Sequence, residues 1–256
     1  MVLEGLTGYR GRATFQGLES VTFRLEAEGL PTLFLKRRED PGEYQHLAVE
    51  RFVLHRLIGC GLPTPRPMRY LRLEDTEYLM LSAMQGENLA ESFEHKRIGR
   101  GGCVGVVADA VMRIHAATPA WPEDINSIHA RIEHARERVR NRKVPADQLS
   151  EPYAGRTPHS LLDEFERRYR EPAVKTFIHG DLCLPNLLAI DGALTGLVDW
   201  SRAGFGDPYH DLALAARSLE FNLGPGPWAR ELAQACGIDE LDPERLELWQ
   251  LFDELF

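Results

Sequence analysis

Apolar positions in the first third of the chain come in short runs closed off by turn residues, which is the spacing of strands rather than helices. Phe15-Gln16-Gly17-Leu18-Glu19-Ser20-Val21-Thr22-Phe23-Arg24-Leu25 reads as strand, turn, strand, and Thr32-Leu33-Phe34-Leu35-Lys36 reads as an apolar strand ending in a lysine. Over residues 44–58 the period becomes helical, with Glu50 on the early face. Tyr78-Leu79-Met80-Leu81-Ser82-Ala83-Met84 is a further strand leading into Gln85-Gly86. Beyond it the pattern is mainly helical, over residues 104–116, 128–142, 160–169 and 208–219. A last helix opens at Asp242-Pro243, a capping residue followed by proline at the first helical position. Short strands interrupt the helices at residues 174–178, then at 186–190 and 194–198, the latter two joined by an Asp191-Gly192 hairpin turn. The expectation is an α+β protein of two lobes: a small β-rich lobe over residues 1–82, a crossing segment over 83–88, and a larger, mainly helical lobe over 89–256.

The segment between those later strands carries the chemistry. His179-Gly180-Asp181-Leu182-Cys183-Leu184-Pro185-Asn186 is followed, after the hairpin, by Val198-Asp199-Trp200. In phosphoryl transfer by kinases, a loop Asp takes the hydroxyl proton, an Asn five positions on binds magnesium, and a further Asp bridges magnesium to the phosphates. Asp181, Asn186 and Asp199 fit those roles, with Pro185 stiffening the loop so that Asp181 and Asn186 face one point. No Gly-Lys-Ser or Gly-Lys-Thr occurs, so the phosphate cation must sit elsewhere than on a Walker A loop; Lys36 at its strand end, paired with Glu50, is the candidate. The turn before Ser20 is placed to cover the phosphates with Ser20 and main-chain amides. Ile98-Gly99-Arg100-Gly101-Gly102-Cys103-Val104-Gly105 only looks like a phosphate loop, since it follows the crossing segment and not a nucleotide-binding strand; it reads as a flexible entry to the next helix. His115 on that helix reads as a packed or capping residue.

Composition narrows the partners. A chain of 256 residues can hold two lobes with real cores, and its formal charge of −9 argues against nucleic acid and suits a polycationic partner. Cys60, Cys103, Cys183 and Cys236 are scattered without a Cys-x-x-Cys, which points to free thiols in a reducing compartment and not to a zinc site. With no leader-like pattern at the start and no apolar run of spanning length, the expected location is the cytoplasm, with no membrane association.

Taken together, these residues resemble the aminoglycoside phosphotransferases, most closely those that act on a 3'-hydroxyl. The resemblance runs nearly end to end through the His179–Asn186 loop, Gly196-Leu197-Val198-Asp199-Trp200-Ser201-Arg202, Asp207-Pro208-Tyr209-His210-Asp211-Leu212-Ala213-Leu214-Ala215 and the closing Leu251-Phe252-Asp253-Glu254-Leu255-Phe256. It implies a protein-kinase-like fold, ATP and Mg2+ as cofactors, and an aminoglycoside acceptor, on a monomer or weak dimer. It further implies an adenine site along the main chain of Met80, Ser82 and Ala83, an active-site role for Arg202, and an anchoring role for Asp211 beneath the catalytic loop. Glu151 in the loop 144–158, with Asp253, Glu254 and the carboxylate of Phe256, matches the groups that hold the drug's ammonium substituents. Gln148, Ser150, Phe221 and Asn222 stand where relatives carry acids. The acidic end of the last helix, which the helix dipole does not favour, would be neutralised by a polyamine. A kinase of another metabolite (an amino alcohol, homoserine or a macrolide) and a non-catalytic nucleotide-binding protein are the alternatives.

Overall fold

Alternation of apolar and polar residues builds the first layer of the molecule. The computed structural model describes residues 7–16, 20–39, 47–122 and 125–256. Strands β1 (Arg10–Gln16), β2 (Val21–Glu26), β3 (Leu33–Glu39), β4 (Pro67–Leu73) and β5 (Thr76–Ser82) form an antiparallel sheet in the order β1-β2-β3-β5-β4. Along β5, Glu77, Leu79 and Leu81 are buried and alternate with half-buried neighbours, as a sheet covered on one face requires. Helix α1 (Leu47–Leu57) covers β4 and β5, burying Leu47, Glu50, Val53, Leu54 and Leu57. Its expected first residues, 44–46, lie outside the described residues. Buried Glu77 accepts from the main-chain N–H of Leu47 at 2.9 Å and from the Tyr70 hydroxyl, so one carboxylate on β5 satisfies a donor in the first turn of α1.

The chain leaves this sheet through Ala83–Gly86 and at once joins a second one. Residues 87 and 88, expected within the crossing segment, form β6 (Glu87–Asn88) and pair with the later strand Leu187–Ile190, which in turn pairs with Ala193–Leu197. Gly86 makes this possible: its φ is 109°, and a Cβ there would stand 2.6 Å from Thr195 Oγ1 and 2.9 Å from the Ala189 carbonyl oxygen. Only glycine tolerates both conditions. The Thr195 hydroxyl donates to the Gln85 carbonyl at 2.7 Å, fastening the crossing to the hairpin that precedes Asp199.

Helices α2 (Leu89–Glu94), α3 (Arg100–Ala116), α4 (Ile128–Arg140) and α5 (Pro158–Arg168) begin the second lobe. The glycine run at 99–105 is not a flexible entry; it is the first turn and a half of α3 with Gly99 as its cap. Packing explains it, since a Cβ on Gly102 would meet Ile98 Cγ1 at 2.7 Å. There follow β7 (Thr176–Ile178), β8 (Leu187–Ile190), β9 (Ala193–Leu197), β10 (Gly204–Gly206), α6 (Pro208–Leu223), α7 (Trp228–Ala235) and α8 (Pro243–Asp253). β7 pairs with β10, and α3 and α6 lie against β7 with faces that are almost wholly buried. No described helix is long and apolar enough to cross a membrane.

Two buried aspartates on the 207–211 turn fix what lies around them. Asp207 caps α6 through Tyr209 N and binds Arg245 Nε and Nη2 at 2.8 and 2.7 Å and Trp249 Nε1 at 2.9 Å, which docks α8 across α6. Asp211 accepts from the main-chain N–H of His179 at 2.9 Å and of Gly180 at 2.8 Å, while His115 Nε2 meets its second oxygen at 3.1 Å. His115 is therefore a partner of the anchor, as its packed reading expects. Burial alone would push the Asp211 carboxyl up, but the hydrogen bond and charge of His115, with His179 beside it, outweigh burial and bring it down to about 2.

Asp211→Ala should lower the unfolding free energy by about 3 kcal/mol, the scale of two buried N–H groups left without acceptors. The folded-state pKa lies below the ordinary carboxylate value, so the charge contributes in full above about pH 4 and the contribution is lost as pH falls toward about 2. That increment is on the order of 2 kcal/mol. Denaturant unfolding of the wild type and Asp211→Asn across this range measures it, and the Asn variant should show the shallower acid dependence.

Candidate active site

Lys36 leaves β3 on its buried face and ends between two carboxylates from different lobes. Its ammonium lies 2.7 and 2.8 Å from the two oxygens of Glu50 on α1, and 3.0 Å from Asp199 Oδ1 beyond β9. Burial by itself would favour the neutral amine, but Asp199 and Glu50 hold it charged and raise its pKa. Asp199 responds in the opposite sense: burial pushes its carboxyl up, and Lys36 more than compensates, leaving it below the ordinary value. The main chain at Asp199 has φ 65°, a left-handed conformation that a non-glycine residue adopts at a cost of about 1 kcal/mol or more. The cost is accepted where it turns the carboxylate toward Lys36 of the other lobe.

That loop is held at both ends and from below. Asn186 Nδ2 donates to the Asp181 carbonyl at 2.9 Å and to Asp181 Oδ2 at 3.1 Å, and Val198 N donates to the Asn186 carbonyl at 3.0 Å. His179 Nε2 donates to the Val198 carbonyl at 3.0 Å, so the segments carrying Asp181 and Asp199 are tied twice. Gly180 has φ 77°, and a Cβ there would stand 2.4 Å from the Arg202 carbonyl oxygen. Arg131 on α4 holds the same carbonyl with Nη2 at 2.7 Å and the Asn126 carbonyl with Nε at 2.9 Å. Its Nη1 lies 3.1 Å from His210 Nδ1, and burial together with this guanidinium keeps His210 neutral, well below the usual histidine range, so that the ring can accept. Asp181 is raised above the ordinary carboxylate value, first by burial and further by Asp199 and Asp253, with Arg202 opposing. A raised carboxyl is a stronger base once ionised. Cys183 stays a thiol, pushed well up by burial and by the Asp181 and Asp199 charges, which fits a packing role.

The structure thus gathers Lys36, Glu50, Asp181, Asn186, Asp199 and Arg202 around one point. Ser20 is described and half-buried, whereas residues 17–19 of its turn lie outside the described residues. The main chain expected along the adenine is partly committed within the fold. Met80 sits inside the sheet, paired with both Leu35 and Arg69, because β5 is a central strand. The N–H of Ser82 donates to the Arg66 carbonyl at 3.0 Å and that of Ala83 to the Thr32 carbonyl at 3.3 Å, so both donors are spent. Met84, which the sequence reading passed over, is the first residue of the crossing whose N–H has no acceptor among the described residues.

The acidic end of α8 also differs. Asp253 meets Arg202 Nη1 at 3.3 Å and pairs with Arg217, and Glu254 meets Arg217 Nη1 at 2.7 Å. Arg138 donates to the main-chain oxygens of Leu255 at 2.9 Å and Phe256 at 2.8 Å. Arginines from α4 and α6, with Arg202, therefore already neutralise the cluster that the sequence left for a polyamine. Ser150 donates to Glu254 through its N–H at 2.8 Å and its hydroxyl at 2.5 Å, joining the loop 144–158 to this corner, while Glu151 next to it is exposed. Phe221 is exposed, and Asn222 is turned to Ser218 on its own helix. Arg217, the tenth residue of a helix that reads only as amphipathic, gave no signal in the sequence.

Asn186 and Asp199 offer hard oxygen donors. With Asn186 Nδ2 turned to Asp181 and Asp199 Oδ1 to Lys36, the Asn186 amide oxygen and Asp199 Oδ2 have no donor among the described residues. No group of three or more His, Cys, Asp or Glu able to enclose a metal occurs among them either. A two-ligand oxygen set fits magnesium, which is held by one or two side chains and completed by phosphate oxygens and water.

Residues 13–249 match the profile of the phosphotransferase enzyme family. The chain is 33% identical over 202 residues to an aminoglycoside 3'-phosphotransferase of Streptomyces fradiae, covering 77% of this chain and 74% of that one. It is 30% identical over 245 residues to an aminoglycoside 3'-phosphotransferase of Streptomyces ribosidificus, covering 91% and 90%. Among solved structures it is similar to an aminoglycoside-3'-phosphotransferase of type VIII, with a TM-score of 0.83, 25% identity, and 97% and 94% of the two chains covered. That likeness extends over both lobes, so the fold is protein-kinase-like.

Proposed function

Because the chain belongs to the phosphotransferase enzyme family, we propose that it moves the γ-phosphoryl group of ATP to the 3'-hydroxyl of kanamycin- and neomycin-type aminoglycosides, and so confers resistance to them. The observation that carries this reading is the convergence of Asp181, Asn186 and Asp199 on the buried Lys36–Glu50 pair, with Asp253 close enough to act on the Asp181 charge. The relatives named above supply the acceptor class.

Such a site does little covalent work and succeeds by positioning and charge. Asp181 orients the acceptor hydroxyl and takes its proton as the oxygen attacks the γ-phosphorus; the new O–P bond forms as the bond to the β–γ bridging oxygen breaks, leaving ADP. Lys36, already charged and fixed by Glu50, faces the nucleotide phosphates. Asn186 and Asp199 would hold magnesium, which when bound neutralises phosphate charge. Arg202 stands between Asp181 and Asp253 and steadies the transferred group or the base. The adenine edge is assigned to the Ser82 carbonyl and the Met84 N–H, with Ser20 and the turn before it over the phosphates. Glu151, Asp253, Glu254 and Phe256 are assigned to the acceptor. Location in the cytoplasm, a monomeric or weakly dimeric state and the absence of a nucleic-acid partner complete the reading, the last supported by the charge of −9.

A coupled ADP-release assay across kanamycin-, neomycin- and gentamicin-type drugs tests it, with NMR of the product expected to place phosphate on the 3'-oxygen. The 3'-deoxy drug tobramycin should bind without being phosphorylated there. Asp181→Ala should lower kcat by about 10²-fold or more while Mg-ATP binding survives, the scale of a lost general base; near-normal turnover would remove Asp181 from that role. Asp199→Ala should abolish magnesium-dependent nucleotide binding in a calorimetric titration. Lys36→Met should raise KM for ATP more than KM for the drug, because its charge faces phosphate and not sugar; the reverse split would contradict the assignment.

A further inference from the structure

The acidic corner proposed for the acceptor is closed by the protein itself. Asp253 presents one oxygen to Arg202 and the other to Arg217, and Glu254 presents one to Arg217 and Ser150 Oγ and the other to the Ser150 N–H. All four carboxylate oxygens therefore have internal donors. Their side chains are only 11% and 6% exposed, and Arg217, at 38% the more exposed of the two guanidiniums on them, stands in the way of an incoming ammonium.

Three arginines surround the corner, and they are not equally movable. Arg138 is pinned by two main-chain oxygens at the end of α8. Arg202 has its carbonyl clamped by Arg131, lies over the Phe256 ring at 5.1 Å and faces Asp181. Arg217 projects from α6, is 38% exposed, and its hydrogen bonds in the structure go to Asp253 and Glu254. We infer that Arg217 is an internal cation occupying the acceptor's ammonium subsite, a gate that a polycationic substrate must displace and that sets which acceptors bind well. The inference rests on the aminoglycoside reading above and deepens it.

The physics is a competition between two cations for one pair of carboxylates. If the corner is open only in a minor fraction of molecules, the apparent affinity of any ligand needing it falls by that fraction. A charge-assisted, two-carboxylate contact by a partly exposed guanidinium is worth about a tenfold bias. Removing Arg217 also leaves two carboxylates short of a cation, so a bound polyamine should stabilise the variant more than the wild type. Acceptors that place an ammonium at this corner gain from the loss of Arg217, and those that do not gain nothing.

The test uses the full-length enzyme with Arg217→Ala, Arg217→Gln and Arg217→Lys, read by steady-state kinetics with kanamycin and by drug-induced shifts in Tm. The Ala and Gln variants should show KM for kanamycin lowered by about tenfold, KM for ATP held, and a larger drug-induced rise in Tm. Lys, which keeps the competing charge, should stay near the wild-type KM. On the wild type itself, phenylglyoxal labelling read by mass spectrometry should increase at Arg217 when kanamycin is added, because displacement exposes the guanidinium. An unchanged or raised kanamycin KM in both Ala and Gln, or labelling that decreases with drug, overturns the gate. The outcome also separates the two readings. A wild type inert toward every drug beside an Arg217→Gln that phosphorylates them keeps the gate and removes aminoglycosides as the native acceptor. Inertness of both, with no drug-induced Tm shift in either, removes both.

Discussion

One buried ammonium holds the two lobes in working order. Lys36 sits on the central strand of the first sheet, yet its charge is balanced jointly by Glu50 on the helix above it and by Asp199 across the cleft, 163 residues away in sequence. Taking three charges out of water is expensive, and a buried pair of this kind commonly adds little or nothing to stability relative to an apolar replacement. Its consequence here is geometric. With both Glu50 oxygens on Lys36, the ammonium cannot swing away from Asp199, and the position of α1 is coupled to the segment that follows β9.

Rigidity in the second lobe descends from the same region. Asp211 takes two consecutive main-chain N–H groups of the catalytic loop, His179 ties that loop to Val198, and Arg131 braces the Arg202 carbonyl against which Gly180 packs. The two bonds to Asp211 are fully buried and the other two partly so, and loosening a buried one leaves an unpaired donor or acceptor in a low-dielectric interior. The left-handed main chain at Asp199 persists because its neighbours over-determine it. Aromatic contacts extend the frame toward the first lobe: Phe52 on α1 meets Trp121, Trp121 meets Phe177 on β7, and Phe177 stacks near Trp200 beside the metal-type Asp.

Charge in the protein is acidic overall but is not spread in one sign over the site. The carboxylates at the end of α8 are matched within the fold by Arg138, Arg202 and Arg217, and the same Asp253 that pairs with arginines helps to raise Asp181. The arginine-filled corner and the field on Asp181 are thereby linked through a single carboxylate. Any change of charge at that corner alters both the field on Asp181 and the freedom of Arg202.

Much of this was written locally in the chain. The loop from His179 to Asn186 brings Asp181 and Asn186 together within eight residues, Asp191-Gly192 turns the hairpin that returns Asp199, and Asp242-Pro243 starts the last helix, because turn chemistry, caps and short-range sterics act over a few residues. Periodicity likewise put Lys36 on a strand and Glu50 on a helix face, although β3 runs on past Lys36 to Glu39 and does not end there. Periodicity gives the face, however, and not the partner. That the N–H groups of Ser82 and Ala83 are spent on Arg66 and Thr32 depends on where neighbouring segments lie; that Gly102 must stay small within its helix depends on Ile98 packed against it. Arg217 reads in sequence as one polar position on an amphipathic helix. Only the crossing of α6 by α8, fixed by Asp207 with Arg245 and Trp249, brings it to Asp253 and Glu254, since a contact between residues so far apart in sequence is set by how whole elements pack and not by any spacing within them.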